Sequence, residues 1–318
     1  MKTPFCSYCL NGIPKGCKYC VKGQKLVLFI SGICKRNCWY CSLSEKRKNV
    51  DKIWANEKEC KNIKDMIKEA EDSRALGAGV TGGDPLLFVE RTLKYVKALR
   101  KKFGKKFHIH IYFPTKFISE SNMKKLSKHI DEARIHPEFL INGRTEDIEK
   151  IKLARKYWRN LGIELPLLPD KKKEILSFIL KVGRDVDFVN LNELELSETN
   201  CNLMTKKYKL KEGGYVVSGS KEAGLWILKE LEKRKIRLKI HLCTADLKNQ
   251  FQFKNRLLRH KIDKNGRRTS DGTVVYLKHK NKIISETSAK KLLKKGKKVF
   301  RVEEYPTVDG IEVEREEI

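Results

Sequence analysis

The sequence has no apolar run long enough to span a bilayer, and its first residues, MKTPFCSYC, contain no apolar signal core. The expectation is a cytoplasmic protein with no membrane partner. Internal repeats and low-complexity segments are missing too, so nothing points to an array or a disordered chain. Acidic side chains are scarce: 40 Asp and Glu stand against 70 Lys and Arg, a formal charge of +30 over 318 residues. That excess is extreme for an ordinary small-molecule enzyme and predicts a polyanionic partner, tRNA or another RNA, unless the lysines only solvate the surface.

Cysteine, by contrast, is concentrated. Seven of the ten cysteines fall within the first 41 residues. In a reducing compartment they are not expected to pair as structural disulfides, so metal ligation is the natural reading.

Downstream, strand-length apolar stretches alternate with amphipathic segments. The strand candidates are 26–32, 77–83, 107–115, 132–137, 163–169, 187–196 and 236–243, with helical patterns between them. CKNIKDMIKEAEDSRAL, with Cys60 inside it, is one such helical pattern. This order predicts an α/β fold whose parallel sheet curls into a partial TIM-type (β/α)6 barrel. Polar residues recur with period two: His108, His110 and Tyr112 share a face, as do Arg134 and His136, Asn190 and Asn192, and His241 and Cys243. The opposite faces carry Ile109, Ile111, Val189, Leu191, Leu238, Ile240 and Leu242. A barrel with a polar inside holds a site, although any one of these groups can equally be a satisfied core residue.

Three domains are expected: a four-Cys metal-binding knuckle over 1–24, a barrel over 25–250, and a small α+β domain over 251–318. Residues 251–300 hold 16 Lys and Arg against three acids, whereas 303–318 hold seven acids and one Arg. In that last domain the pattern predicts a hairpin in GTVVYLKHKNKIIS, a short helix in SAKKLLKK ending at Gly296, and a strand pair around VDG. Its basic block is either an RNA-facing surface or a solvated one.

Cys34, Cys38 and Cys41 form CxxxCxxC directly after the first predicted barrel strand. Three thiolates can hold three irons of a [4Fe-4S] cluster and leave the fourth without a protein ligand, whereas structural zinc wants four ligands. CKRNCWYC in this place resembles the CxxxCxΦC loop, Φ aromatic, of the radical S-adenosylmethionine (radical SAM) superfamily, and more loosely the archaeal relatives of pyruvate formate-lyase activating enzymes. The resemblance covers roughly residues 25–245. It implies that SAM chelates the open iron, that Tyr40 lies against the adenine, and that one electron splits SAM into methionine and a 5′-deoxyadenosyl radical.

A second motif, Thr81, Gly82, Gly83, Asp84 and Pro85, stands at the second strand's end where the family usually has GGEP. The family role implied for it is contact with the SAM amino group, its glycines allowing close backbone approach. GIELP (162–166) resembles a degraded fifth-strand signature, and Tyr112, His136 and Asn190 are further candidates for cofactor contact.

Cys6, Cys9, Cys17 and Cys20 make two CxxC knuckles with spacing for one tetrahedral metal, zinc or an auxiliary iron–sulfur cluster. Cys243, beside His241, is a candidate hydrogen-atom donor or covalent catalyst, or simply a structural thiol; Cys201 lies in a loop. Together these readings predict a radical SAM enzyme that modifies an RNA, most plausibly tRNA, and takes electrons from a ferredoxin or flavodoxin. The alternative is an activase or maturase acting on a protein or peptide.

Overall fold

The computed structural model describes residues 1–143, 146–307 and 310–318. The N-terminal segment forms strand β1 (Tyr8–Leu10) and helix α1 (Lys15–Cys20). β2 (Lys25–Phe29) then opens the barrel, followed by a short hairpin of β3 (Ile53–Ala55) and β4 (Lys58–Cys60). Six β/α units run through α2 (Ile63–Asp72), β5 (Gly77–Thr81), α3 (Val89–Phe103), β6 (His108–Pro114), α4 (Glu120–Ser127), β7 (Glu132–His136), α5 (Phe139–Asn142), α6 (Asp147–Arg155), β8 (Leu161–Pro166), α7 (Lys172–Val182), β9 (Phe188–Asn192), α8 (Cys201–Lys207) and α9 (Ser220–Lys233). A seventh parallel strand, β10 (Lys239–Cys243), ends the series.

In the sheet the order is β1-β10-β9-β8-β7-β6-β5-β2-β3-β4, with only β1, β3 and β4 antiparallel. β10 and β2 are not neighbours, so the barrel is open between them. Leu26, Leu28, Val80, Ile109, Ile111, Ile135, Ile163, Val189, Leu191, Ile240 and Leu242 are fully buried in one core with the helices outside. Each such side chain contributes about 1.5–3 kcal/mol on leaving water. The alternate residues face inward, which is where the period-two reading placed the polar set.

Local signals set the boundaries. Asn62 accepts from the backbone of Lys64 and Asp65, and Asp65 reciprocates, a capping box that starts α2 at Ile63. Cys60, expected within that helix, therefore ends β4. Cys201 is the first residue of α8 and not part of a loop.

The N-terminal residues do not stand apart as a knuckle. β1 covers the outer edge of β10, and α1 enters the barrel, where the Gly16 amide donates to Glu132 at 3.1 Å. A Cβ on Gly16 would lie 2.5–2.8 Å from Arg134, Glu132 and His110 side-chain atoms, so any larger residue there would push this buried polar set aside. The physical reason is twofold: an uncovered edge strand and a polar barrel interior both need partners.

After β10, a π-helical segment (Leu247–Phe253) and α10 (Lys254–Arg259) lead to a second sheet. It contains β11 (Arg267–Arg268), β12 (Val274–His279), β13 (Lys282–Ile284), β14 (Phe300–Thr307) and β15 (Gly310–Glu317), with α11 (Glu286–Lys294) before β14. The predicted hairpin is β12–β13, and the short helix is α11, with Gly296 beyond it at φ 63°. The strands either side of VDG pair as expected, while Val308 and Asp309 lie outside the described residues.

This second unit is tied to the barrel by Glu69 of α2. Its carboxylate, 4 % exposed, meets His260 just beyond α10 at 3.1 Å, Lys58 at 2.8 Å and the Asn56 amide at 2.8 Å. Burial alone would raise its pKa, but the hydrogen bonds and charges of His260 and Lys58 hold it at about 2. A carboxyl held below its unfolded value adds stability above that value and loses it as pH falls through the folded one. The contribution is at most on the order of 3 kcal/mol. Glu69→Gln is therefore expected to be less stable than wild type at pH 7 in urea unfolding, with the gap closing between about pH 5 and pH 2. A constant gap across that window would show that Glu69 acts through packing alone.

Candidate active site

The C-terminal strand ends surround a cavity of about 410 Å³. Cys34, Cys38 and Cys41 line one side, together with Gly32, Arg36, Tyr40, Thr81, Gly82 and Gly83. Cys17, Cys20, Tyr112, Arg134, Glu164, Asn190, Asn192 and Cys243 line the other.

The loop bearing the three cysteines is strapped from two directions. Arg36 donates to the carbonyls of His136 (3.1 Å) and Pro137 (3.0 Å) beyond β7, and its guanidinium lies 3.5 Å from Glu138. From the other side, Ser197 and Thr199 donate to the Cys41 carbonyl, and the Asn200 amide to that of Tyr40. Cys34, Cys38 and Cys41 are free thiols. Burial pushes Cys38 up to about 11; Arg36 opposes this, while Cys41 and Cys34 add to it, so the three sulfurs act on one another. Iron would replace those protons. Three thiols on one loop that lines the cavity, with no fourth cysteine on that loop, fit in number and chemistry a cluster that keeps one iron open.

The glycine pair after β5 has a packing role that the sequence did not show. Cβ atoms on Gly82 and Gly83 would lie 2.5–2.7 Å from the backbone oxygens of Ser31, Gly32 and Ile33. The glycines thus let the two strand-end loops pack together, and Gly82 also holds φ 151°. Thr81, Gly82 and Gly83 reach the cavity, but Asp84 and Pro85 do not. Asp84, 1 % exposed, caps the turn by accepting from the Leu86 amide at 2.9 Å.

Tyr40 and His136 line the cavity as expected, the Tyr40 hydroxyl beside Cys38. Burial and the Arg36 charge lower His136 to about 3, so its ring is neutral. Tyr112 hydrogen-bonds His110 (3.2 Å) and Arg134 (3.2 Å), which makes it a wall of the polar side.

At the centre of that wall the sequence placed Arg134 but not its two carboxylate partners. Arg134 holds Glu132 through two nitrogens and Glu164 at 2.9 Å, all three nearly free of solvent. Burial would raise Glu132, yet Arg134 and His108 keep its pKa below the ordinary range. Asn190 and Asn192 donate to the two oxygens of Glu164 at 2.5 and 2.8 Å. Asn190 is thereby a partner of Glu164 and Cys17 as well as a cavity residue.

Of the N-terminal cysteines, Cys17 and Cys20 face this cavity, whereas Cys6 and Cys9 do not line it. Cys17 lies 3.4 Å from both the Arg134 and the Asn190 nitrogen. Among the described residues no three His, Cys, Asp or Glu side chains stand close enough to form a metal site as they are, neither at the N-terminal cysteines nor at Cys34, Cys38 and Cys41. Cys243 reaches the cavity, with the Gln252 amide 3.7 Å from its sulfur. His241 sits two residues lower, bonds Ser7 at 3.2 Å, and is shut off from the cavity.

The family model for the radical SAM superfamily matches residues 28–212, a span that carries both the cysteine loop and the glycine pair. The chain belongs to the radical SAM superfamily. A protein of Methanocaldococcus jannaschii, provisionally named a glycyl-radical enzyme activating enzyme, is 41 % identical over 255 residues, covering 77 % of this chain and 67 % of that one. Among solved structures, SuiB of Streptococcus suis aligns over 70 % of this chain and 49 % of its own, at 13 % identity and a TM-score of 0.47. SuiB bound to its precursor peptide SuiA gives 79 %, 58 %, 14 % and 0.49. The chain thus spans about half the length of these solved structures.

Membership in this radical SAM superfamily implies a [4Fe-4S] cluster and SAM as cofactors. Cys34, Cys38 and Cys41 would hold such a cluster, which when bound would supply one-electron cleavage of SAM. No helix among the described residues is long and apolar enough to cross a membrane.

Proposed function

We propose that this radical SAM enzyme acts on a protein or peptide, as an activase that abstracts a hydrogen atom from a partner's backbone. The observation that carries this is the 41 % identity to a relative named as a glycyl-radical enzyme activating enzyme. The cavity supports the same reading. Of its four lining cations, Arg134 is neutralised by Glu132 and Glu164, Lys248 by Glu195 at 2.8 Å, and Arg36 by Glu138. Among the described residues only Lys48 has no such partner on the cavity wall, so the interior is poorly suited to phosphates and well suited to a neutral, amide-bearing chain.

The RNA reading keeps one observation of its own: Lys290, Lys291, Lys294, Lys295, Lys297 and Lys298 are all exposed on and just after α11. Zinc or a second cluster on the N-terminal cysteines would belong to either reading.

The two readings part in one experiment. Reconstituted protein, SAM and dithionite are given either a glycyl-radical-class partner deuterated at glycine or bulk tRNA deuterated throughout. Deuterium is expected in 5′-deoxyadenosine from the protein and not from the RNA, because the abstracted atom moves from the glycine α-carbon to the 5′-carbon. Label arriving only from tRNA would overturn the proposal.

A further inference from the structure

The cavity wall that carries Arg134, Glu164 and Cys243 is completed by the π-helical segment that follows β10. Helical stretches of this kind are rare and recur at functional sites. Leu247 and Phe251 pack with Val21, Cys243 and Phe5, which leaves Lys248 and Gln252, also four residues apart, on the cavity side. Two polar side chains thus reach the cavity from beyond the barrel strands.

Lys248 is already held by Glu195 at 2.8 Å. Of the amide side chains on this wall, Asn190 and Asn192 are committed as well, since both donate to Glu164. Gln252 differs. Among the described residues its amide meets no oxygen or nitrogen partner, and its Nε2 has only the Cys243 sulfur at 3.7 Å, a weak acceptor. A half-buried amide in that state gains hydrogen bonds when a complementary group enters the cavity.

The complementary group follows from the geometry of an amide, which offers one donor and one acceptor side by side. A residue in an extended chain turns its own N–H and C=O to one side, so the two can pair through both bonds. Such pairing reads backbone. That is all a glycine presents, because it has no side chain to recognise.

We infer that Gln252 is a specificity residue that pairs with the backbone N–H and C=O of the partner's reacting segment. Its Nε2 leaves the Cys243 sulfur and donates to the carbonyl, while its Oε1 accepts from the N–H. This role rests on the protein or peptide substrate proposed above. An amide can also pair with adenine, so tRNA stays an arm of the test.

Full, cluster-loaded wild type is compared with Gln252→Met and Gln252→Glu, each given SAM, dithionite and either the glycine-deuterated partner or deuterated tRNA. Met keeps the length of the side chain and removes both hydrogen bonds. Glu loses the donor but keeps an acceptor, so a polar group remains in the cavity should Met disturb the fold. Label transfer is followed against partner concentration, beside iron content and the share of 5′-deoxyadenosine that carries no deuterium. Gln252→Met is expected to raise the partner's KM about ten-fold or more, and Gln252→Glu to raise it less. The unlabelled share should rise in both, because a loosely held chain misses the radical, while iron content matches wild type. Label still arriving from the partner, with wild-type KM and unlabelled share in both variants, would overturn the role of Gln252 and leave the activase reading standing. Loss of iron in step with turnover in both variants would overturn it too, since the residue would then act on the fold. If wild type takes label only from tRNA, or from neither substrate, the activase reading falls and the role of Gln252 with it.

Discussion

Replacing Cys34, Cys38 and Cys41 together by alanine is expected to give a colourless protein that produces no 5′-deoxyadenosine, while wild type reconstituted without oxygen holds about four irons at this site. Each thiolate anchors one iron, so the loss is all or none for the chemistry. The three side chains are half-buried on a loop and contribute nothing to the barrel core. The loop also keeps its straps, which come from Arg36, Ser197, Thr199 and Asn200 and not from sulfur. Circular dichroism and the melting temperature of the metal-free protein should therefore be close to wild type. Continued SAM cleavage by the triple variant would move the cluster to the other cysteine group, with Cys17 and Cys20 the first suspects because they face the same cavity.

Arg134→Met should be the most destabilising single substitution in the barrel. It leaves Glu132 and Glu164, 2 % and 3 % exposed, without the cation that offsets their burial. Removing one partner of such a buried set costs about 3–5 kcal/mol, a large share of the roughly 5–15 kcal/mol that holds a domain folded. The orphaned carboxyls would respond by taking up protons. A carboxyl raised above its unfolded pKa costs stability at neutral pH and releases that cost as pH falls. Urea unfolding should thus show the variant recovering relative to wild type between pH 7 and about pH 5. Adding Glu132→Gln and Glu164→Gln should restore much of the loss at pH 7, because a neutral set has no charge to bury. A loss below about 1 kcal/mol in the single variant would mean that water reaches these groups after all.

The difference between what could and could not be read in advance follows from the range of each signal. Period-two polarity along a strand is local, so His108, His110, Tyr112 and Arg134 could be placed inside the barrel one strand at a time. Their partners could not. Glu164 meets Arg134 across 30 residues, and Gly16 meets Glu132 across 116, distances set by strand register and by the entry of α1. CxxxCxxC announced its own chemistry because three ligands sit within eight residues. At the N-terminus the spacing of the two CxxC pairs, read as a four-Cys metal knuckle, could not show that β1 pairs with β10 or that Cys17 and Cys20 of α1 face the cavity. Cys60 was drawn into a helix by apolar periodicity, and only the reciprocal hydrogen bonds of Asn62 and Asp65 set the true start.

The pairing of β1 with β10 carries a consequence for how the chain is made. Ser7 and its partner His241 are 234 residues apart. At the usual pace of about 5–20 residues per second, the ribosome needs roughly 10–50 s to deliver the strand on which the first twenty residues settle. Through that interval the thiols of Cys6, Cys9, Cys17 and Cys20 hang outside a half-built barrel, open to any free metal or oxidant. β1 can take its place in the sheet only once β10 has been made, so this early segment settles after the strands between them. An obstruction on residues 8–20 would then leave the interior carboxylates wet and the outer edge of β10 bare for another copy to cover.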